Sequence, residues 1–341
     1  METKYTRLAI ASMRNSANAE ATVSISVKGE TPFPASCEVS YSSQGCEASG
    51  LFIILYRKNT QRYTVAMARR TKTPLYPIKH WSHSSLVSFL RNQLAWYKRY
   101  VENVRDTPST PAGIIGRSGH VALQHFYSGL SKEAGIALGL EYLRNVPDFE
   151  VQFGKAKTKS AQKKKRASME RDYLRAVSYY LARPPRHKVL GVEVMATASV
   201  EGLPIPLKAI SDLVVVSRID PKAVDIIDHK FVDSFSKSGA RKPLFVIQAM
   251  FNYYTVQTLY GKPVKRFIVY ECKKTRNADG SSQLKKYVLN FDECEEEFEV
   301  FHRLIKDASL EITRERLYLP NPSDMFEGEN SFEVYKMGLA E

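Results

Sequence analysis

Three stretches of the first 75 positions predict short β-strands, the first because apolar and polar residues alternate and the other two because their composition is strand-like. Serine, glycine and proline residues separate these stretches, which cover 21–27, 50–56 and 62–68. From Ser84 onward the apolar spacing becomes helical, and an apolar and aromatic face continues to Tyr100. A loop over 107–111 follows, and a second helix is expected to begin near Gly116 and to carry His120.

The pattern is most regular after residue 168, where a helix, three strands, a helix and a strand follow in order. The first of these helices ends at Pro184-Pro185, because a proline pair cannot continue a helix. The predicted elements are a helix over 169–183, strands over 189–200, 205–217 and 223–231, a helix over 243–260, strands over 264–272 and 286–289, and an acidic helix from 292 to about 305. This αβββαβ order predicts an α/β (α+β) fold with a mixed sheet flanked by helices.

The change in pattern predicts two regions in the chain. A small β-rich element of unknown role covers residues 1–78, and a larger domain covers 79–341. Within that domain we distinguish a basic segment (155–166), a core (168–290) and a C-terminal helix with its tail (291–341). The sequence contains no P-loop, GxGxxG motif or internal repeat, which argues against a fused motor or dinucleotide-binding domain.

Composition and charge limit the kinds of partner. The 341 residues include 50 Lys and Arg against 36 Asp and Glu, a formal charge of +14 that favours a polyanionic partner. No apolar run approaches the ~18 residues of a membrane span, and the first residues lack the apolar region of a secretion signal. The four cysteines have no CxxC spacing, so we expect reduced thiols without a structural zinc ion or iron–sulfur cluster. We therefore expect a cytoplasmic protein that does not enter a membrane.

The segment 155–166 carries seven cations and no acid. A solvated linker between two helices is one interpretation of such a run, and a mobile basic flap that contacts nucleic-acid phosphates is another. The two interpretations are compatible with each other. The cationic residues of this basic segment are Lys155, Lys157, Lys159, Lys163, Lys164, Lys165 and Arg166.

Acidic residues occur at matching depths in the three predicted core strands. A hairpin turn at 220–221 pairs Asp228 with residue 212 or 213, and residue 212 is an aspartate. A turn at 202–203 in turn pairs Asp212 with Glu193. Three acids in apolar strands are costly unless a cation binds them, and carboxylate oxygens suit Mg²⁺ or Mn²⁺.

Lys230 follows Asp228 by two positions, so both side chains lie on one face of the strand, about 7 Å apart. Together with Asp212, this D-x-K strand resembles the PD-(D/E)XK nuclease superfamily. It is similar more narrowly to the RecB-like branch, which includes exonucleases and CRISPR-adaptation nucleases. Motifs of that branch occur in the same order between residues 82 and 275: a serine-rich helix start with an aromatic run, a Gly-x-x-x-His ending at His120, and a later helix with Gln248.

The sequence departs from the family pattern at three points. The glycine expected three residues before the metal-binding aspartate is Ala209 in this sequence. Asn252 stands where the branch has a tyrosine, and Tyr253 and Tyr254 follow it. Either Tyr253 or Tyr254 is the candidate replacement, and Tyr253 is expected to contact nucleic acid. The cysteines with which some relatives hold an iron–sulfur cluster are missing, so the resemblance implies a member without a cluster.

The resemblance implies a metal-dependent deoxyribonuclease that hydrolyses phosphodiester bonds, first of all an exonuclease of DNA recombination, repair or phage or plasmid replication. A structure-specific or restriction-type endonuclease is one alternative, and a catalytically silent nucleic-acid-binding module is another. The implied cofactor is Mg²⁺ or Mn²⁺, and the implied partner is DNA, contacted largely independently of its sequence. The implied setting is a bacterial or phage-infected cell, and protein partners stay open.

The resemblance also implies a role for each residue of the site. Glu193 is expected to be an accessory ligand or to position a water molecule. Lys230 is expected to orient or deprotonate the attacking water, and Gln248 to position the Lys230 region or a DNA phosphate. His125 shares a helix with His120 but is expected to point elsewhere. The implied metal ligands are Asp212, Asp228, His120 and the backbone carbonyl of His229.

Overall fold

A computed structural model describes residues 75–104, 108–236, 243–319 and 321, with five strands before residue 75 traced by their backbone. The chain divides into two compact units, Met1–Leu75 and Tyr76–Glu341. The strands of the first unit pair antiparallel in two small sheets, of order β1-β4-β5 and β2-β3. They are β1 (Ala9–Ala11), β2 (Ala21–Ile25), β3 (Cys37–Tyr41), β4 (Leu51–Leu55) and β5 (Thr64–Ala68). The three predicted strands are confirmed as β2, β4 and β5, whereas β1 and β3 were not predicted.

The second unit consists of helices and strands that follow the predicted order from α5 onward. Its strands are β6 (Trp81–Ser82), β7 (Val189–Ala198), β8 (Leu207–Val216), β9 (Val224–Val232), β10 (Val264–Lys273) and β11 (Leu284–Asn290). Its helices are α1 (His83–Arg91), α2 (Gln93–Trp96, continued by a π-turn over Tyr97–Val101), α3 (Pro111–Tyr127), α4 (Lys132–Asn145), α5 (Lys159–Ala182), α6 (Pro243–Tyr260) and α7 (Glu295–Glu311).

A six-stranded mixed sheet forms the centre of this unit. β7, β8 and β9 form an antiparallel meander, and α6 then returns the chain so that β10 lies parallel to β9. β11 pairs antiparallel with β10, while the short β6 pairs parallel with the start of β8. The predicted fold class, a mixed α/β core flanked by helices, is confirmed.

Both faces of the sheet are covered by apolar cores, because alternate residues of a strand point to opposite faces. On β9, Val224 and Ile226 pack into the core shared with α1, α6 and α7. Ile227 packs into the other core, shared with α3 and α5. The rings of Trp81 and Trp96, both fully buried, stack 5.9 Å apart in the first core. Burial of each such side chain contributes about 1.5–3 kcal/mol, which holds the sheet between its two helical layers.

The start of α5 differs from the prediction. The helix begins at Lys159, where Thr158 caps it by accepting a hydrogen bond from the backbone N–H of Ala161 (3.2 Å). The interpretation of the basic segment as a linker or flap is therefore wrong for residues 159–166, which form two helical turns. α4 was not predicted, and α7 begins after a 3₁₀ turn rather than at Asp292.

Candidate metal centre

The register of the meander brings the three acids into one row, as hairpin pairing predicts. β7 and β8 pair Val192 with Leu213 and Val194 with Ser211, so that Glu193 and Asp212 are opposite each other between these pairs. The β8–β9 ladder ends at the pair Leu213–Ile227, immediately before Asp212 and Asp228. The two aspartates therefore lie where the strands separate, a position at which their carboxylates are available to a ligand.

Glu193 adopts a backbone conformation that is unusual for its residue type. Its φ angle is +49°, in the left-handed region, and it forms no ladder pair between its paired neighbours. Such a conformation costs on the order of 1–3 kcal/mol and tends to occur at functional sites. The strain therefore marks Glu193 as a specialised position within an otherwise regular strand.

Helix α3 brings a histidine to these carboxylates. His120 Nδ1 lies 3.3 Å from Asp212 Oδ1 and 4.0 Å from Glu193 Oε1. One ligand atom from each of the three residues lies within 4.8 Å of the others. The close approach of α3 to β9 requires Gly119, since a Cβ at this position would lie 2.2 Å from the ring of Phe231. We call His120, Glu193 and Asp212 the histidine group.

Asp228 has a different set of partners, which come from its own strand and from α6. Lys230 Nζ lies 3.0 Å from Asp228 Oδ1 and 2.8 Å from Oδ2. Gln248 donates a hydrogen bond from Nε2 to Asp228 Oδ1 at 2.6 Å. We call Asp228, Lys230 and Gln248 the lysine group. The three residues occur in the order that the sequence motif predicts. The side chains of Lys230 and Gln248 both contact the carboxylate of Asp228.

The acids of the site have pKa values that depart from their ordinary ranges in different directions. Burial opposes ionisation of Asp212. The charge of His120 and hydrogen bonds from His120 and His229 outweigh burial and hold the pKa of Asp212 well below the usual range. Burial, opposed in part by Lys230 and reinforced by Asp212, raises the pKa of Asp228. Burial and the charge of Asp212 raise the pKa of Glu193 to about 6.

Neighbouring carboxylates raise the pKa of the two basic side chains despite burial. Burial lowers the pKa of His120, but Asp212 more than compensates and raises it to about 9. Burial also opposes the charge of Lys230, and the carboxylates of Asp228 and Asp212 raise its pKa above the ordinary value. The site therefore holds a dense cluster of alternating charges, in which each charge depends on its neighbours.

Comparison with known proteins decides the family. Residues 80–325 match the model of the PD-(D/E)XK nuclease superfamily, which covers the histidine group, the lysine group and the whole mixed sheet. This chain belongs to the PD-(D/E)XK nuclease superfamily. No curated protein sequence matches it significantly. A solved structure described as "Crystal structure of SSO0001" is 14% identical, with 75% of this chain and 93% of that chain covered and a TM-score of 0.27.

Membership of the PD-(D/E)XK superfamily implies a nuclease that uses divalent metal ions and acts on nucleic acid. The histidine group is a candidate site for such an ion, since its nitrogen and carboxylate oxygens converge. Asp228 lies beside this group rather than within it, because Lys230 and Gln248 bind its carboxylate. None of the helices in the described part of the chain is long and apolar enough to cross a membrane.

Two contacts of this PD-(D/E)XK site were not predicted from the sequence. The ring of His229, 2% exposed, lies with Nδ1 3.4 Å from Asp212 Oδ2, and its backbone N–H donates to the same oxygen at 2.6 Å. Asn252, in the place of the family tyrosine, accepts a hydrogen bond from Ser211 Oγ at 2.6 Å and donates to the carbonyl of Gln248 at 2.9 Å. Asn252 thus connects β8 to α6 behind the lysine group.

The other predicted binding residues lie apart from the carboxylates. The ring of Tyr253 packs at 4.8 Å from those of Phe291 and Phe298, in an aromatic cluster between α6 and α7. Arg166 binds Asp148 and the carbonyls of Leu143 and Val146, which fixes its guanidinium within the protein. The six lysines of the basic segment are exposed on and before the start of α5: Lys155, Lys157, Lys159, Lys163, Lys164 and Lys165.

Proposed function

We propose that this protein is an Mg²⁺- or Mn²⁺-dependent deoxyribonuclease, and that it is an exonuclease of the RecB-like branch. The observation that carries the proposal is the convergence of the histidine group and the lysine group where β8 and β9 separate. The D-x-K strand alone supports the superfamily, whereas the 3.3 Å approach of His120 to Asp212 supports the RecB-like branch. DNA recombination, repair or phage or plasmid replication, in the cytoplasm of a bacterial or phage-infected cell, are the settings we propose.

The donor atoms of the site fit a divalent cation. His120, Glu193 and Asp212 offer one imidazole nitrogen and carboxylate oxygens within 4.8 Å of one another, a set that suits Mn²⁺ and tolerates Mg²⁺. Burial and then the charge of Asp212 raise the pKa of Glu193 to about 6, and a bound cation would offset the repulsion from Asp212. Asp228 and the backbone carbonyl of His229 complete the proposed ligands. A bound cation supplies a hydroxide-like nucleophile at neutral pH and stabilises charge on the phosphate.

The lysine group has the role of binding and orienting the reacting atoms. Because its pKa is raised by Asp228 and Asp212, Lys230 keeps its proton and acts as a hydrogen-bond donor. We therefore assign Lys230 to orienting the attacking water and to compensating charge on the scissile phosphate, rather than to deprotonating the water. Gln248 holds the Asp228 carboxylate in place at 2.6 Å and so fixes the position of Lys230 as well.

The proposed DNA contacts are electrostatic and largely independent of base sequence. The formal charge of +14 favours phosphate binding, and the exposed lysines of the basic segment are the proposed contacts at the start of α5. Arg166 is a weaker candidate than these lysines because Asp148 and two backbone carbonyls already bind it. Tyr253 keeps its predicted nucleic-acid role only if the aromatic cluster around it opens.

A digestion experiment tests the proposal. The purified chain is incubated with Mg²⁺ or Mn²⁺ and with linear duplex, circular duplex or single-stranded DNA, with a chelator and Asp212→Asn as controls. Degradation of linear DNA alone supports the exonuclease. Cleavage of circles identifies an endonuclease instead. Binding without cleavage by the wild-type protein in either metal would identify a silent binding module and overturn the proposal.

A further inference from the structure

A group of cations that the metal centre does not use extends from one end of the main sheet, at the level of Asp225, along β10 and β11 to the level of His229. Its residues lie in the connection between α5 and β7, in the β8–β9 turn and in the adjoining parts of β10 and β11. Five of its six members are exposed, and Arg266 is half-buried. We call this group the sheet-end patch, and its cations are Arg183, Arg186, Lys188, Arg218, Arg266 and Lys286.

Hydrogen bonds bring the connection and the β8–β9 turn together. Arg218 donates from Nη2 to the backbone carbonyl of Arg186. The backbone N–H of Val216 donates to the carbonyl of Lys188 at 2.9 Å, which extends the end of β8. Three cations from two separate parts of the sequence, Arg186 with Lys188 and Arg218, are therefore held on one surface.

The remaining cations reach this surface from β10 and β11. Arg266 binds the carboxylate of Asp225 at 2.5 Å, and this aspartate is only 1% exposed. Lys286 lies opposite Tyr270 in the β10–β11 ladder, and the Tyr270 ring lies 5.9 Å from that of His187. Asp225 is thus an acid within the patch that Arg266 already binds, and Asp220 of the β8–β9 turn accepts a hydrogen bond from the backbone N–H of Lys222 at 2.9 Å.

The positive charges of the patch act on one another. Burial and then the charges of Arg266 and Arg218 lower the pKa of Lys286. Burial and then the charges of Arg218, His229 and Lys286 lower the pKa of His187 to about 4. His187 Nε2 is also buried and has no hydrogen-bond partner in the described part of the chain. Exposed cations that lie close enough to lower one another's pKa favour an anionic partner for this surface.

The position of the patch relative to the metal centre follows from α3 and α5. The two helices run in the same direction. At their C-terminal ends, Tyr127 of α3 and Tyr180 of α5 share a 3.1 Å hydrogen bond. Ahead of their N-terminal ends, Ser109 and Val151 form a parallel β-bridge. α5 has 24 residues. At 1.5 Å per residue it is about 36 Å long, with the basic segment at its start and the patch after its end. His120 lies in the middle of α3, between the two.

One residue links the centre to the patch by direct contact. Tyr127, at the end of α3, borders the recess that holds His120, Glu193 and Asp212. Its ring stacks on that of His229 at 5.8 Å and lies 6.4 Å from that of His187. Tyr127 therefore lies between the recess of the metal centre and His187, which precedes Lys188 of the patch.

We propose that the sheet-end patch binds the phosphate backbone of DNA on the opposite side of the metal centre from the basic start of α5. This inference rests on the proposed function, because it takes DNA as the substrate. About 36 Å corresponds to roughly ten base pairs at 3.4 Å each, so one duplex contacts both basic regions with the scissile phosphate between them. The patch acts in binding and takes no part in the chemical step.

The test compares two triple variants of the full chain that lose the same charge. The patch variant is Arg186→Gln/Arg218→Gln/Lys286→Gln, which leaves the buried Arg266–Asp225 pair intact. The control variant replaces exposed cations on and after α7, which packs on the opposite face of the sheet: Arg303→Gln/Lys306→Gln/Arg314→Gln. Binding to an end-labelled duplex of about 20 base pairs is measured by fluorescence anisotropy, in a chelator and over a series of salt concentrations.

The patch variant should flatten the log–log salt dependence by up to ~2.7, since each lost phosphate contact contributes ~0.9. The control should retain the wild-type slope, and circular dichroism melting should show both variants folded. The loss should shrink on duplexes shorter than ~10 base pairs, which cannot contact both regions. Equal slopes for all three proteins, or an equal loss in both variants, would overturn the inference. A wild-type protein that cuts no DNA would instead overturn the proposed function, whatever the slopes.

Discussion

Asp212 and Asp228 lie on adjacent strands at the end of the same ladder, but their carboxylates have opposite surroundings. Asp212 is contacted by His120 and by both the backbone and the ring of His229, and its pKa is lowered. Asp228 is contacted by Lys230 and Gln248, and its pKa is raised because burial and the charge of Asp212 outweigh Lys230. Separation of two neighbouring carboxyl pKa values in this way is typical of sites where the two groups have different roles.

The surroundings of the two carboxylates differ because side chains from different helical layers contact them. The side chains that reach Asp212 come from α3 and from the face of β9 that carries His229. Those that reach Asp228 come from α6 and from the face that carries Lys230. A cation has better access to the histidine group, whose three ligand atoms converge. In the lysine group, Lys230 and Gln248 both contact the Asp228 carboxylate, which suits the group to hold Lys230 in one orientation.

The largest effects should come from variants that separate these two roles. Asp212→Asn should reduce DNA cleavage by at least ~100-fold and also weaken Mn²⁺ binding, because it removes a charged ligand from the histidine group. Lys230→Gln should reduce cleavage by about 10²–10³-fold while Mn²⁺ binding is retained, because it removes only a positioned donor. Titration calorimetry with Mn²⁺ and cleavage of labelled linear DNA measure the two properties. Equal losses of metal affinity in both variants would contradict the division into two groups.

An intermediate effect should distinguish His120 from an incidental histidine on the same helix. Imidazole nitrogen suits Mn²⁺ better than Mg²⁺, so His120→Ala should lower cleavage by about 10–100-fold and change the ratio of Mn²⁺ to Mg²⁺ activity. His125→Ala is the matched control and should change neither quantity. Rates measured in each metal at saturating concentration provide the comparison. If both variants behave alike, His120 is a packing residue and the RecB-like proposal loses its support.

The sequence allowed the register of the meander to be predicted because its turns are short and have clear residue signals. Gly202, with φ +74°, provides the β7–β8 turn, and the β7–β8 pairs follow the spacing that this turn implies. The pair of Asp212 with Asp228 depends in the same way on the turn at 220–221. Once both turns are placed, period-two alternation fixes which side chains share a face. The acids of the centre were therefore predictable from local pattern.

Features that depend on contacts between distant segments were not predictable in this way. The start of α5 lacks an apolar face, and its order comes from Thr158 and from Arg166, which binds Asp148 across a turn. The left-handed conformation of Glu193 has no sequence signal, since glutamate does not favour it. Asn252 looked like a departure from the family motif, and only the packing of α6 on β8 explains its bond with Ser211. The approach of His120 to Asp212 followed from resemblance and not from spacing.

The smallest predicted effect concerns Glu193, the acid whose charge depends most on the metal. Without metal, burial and Asp212 raise its pKa to about 6, above the ordinary 4.5. The folded state then binds this proton more tightly than the unfolded state, so the associated stability is present below pH ~4.5 and is lost as pH rises through ~6. Glu193→Gln imitates the protonated form and should match the wild type at low pH but unfold at higher temperature above pH ~7. Because the Glu193 side chain is 28% exposed, we expect a gain of at most ~1 kcal/mol.

Thermal unfolding in a chelator across this pH range measures the effect, and Glu201→Gln in the exposed β7–β8 turn is the control. Addition of Mn²⁺ should reverse the order of the two proteins, because the wild-type carboxylate gains a cation that glutamine binds poorly. This reversal is specific to the histidine group. Lys230→Gln leaves the ligand atoms of that group in place, so Mn²⁺ should stabilise the Lys230→Gln protein about as much as it stabilises the wild type. A pH-independent difference between Glu193→Gln and wild type would mean that Glu193 is ionised throughout and that strain at φ +49°, rather than charge, is what the substitution changes.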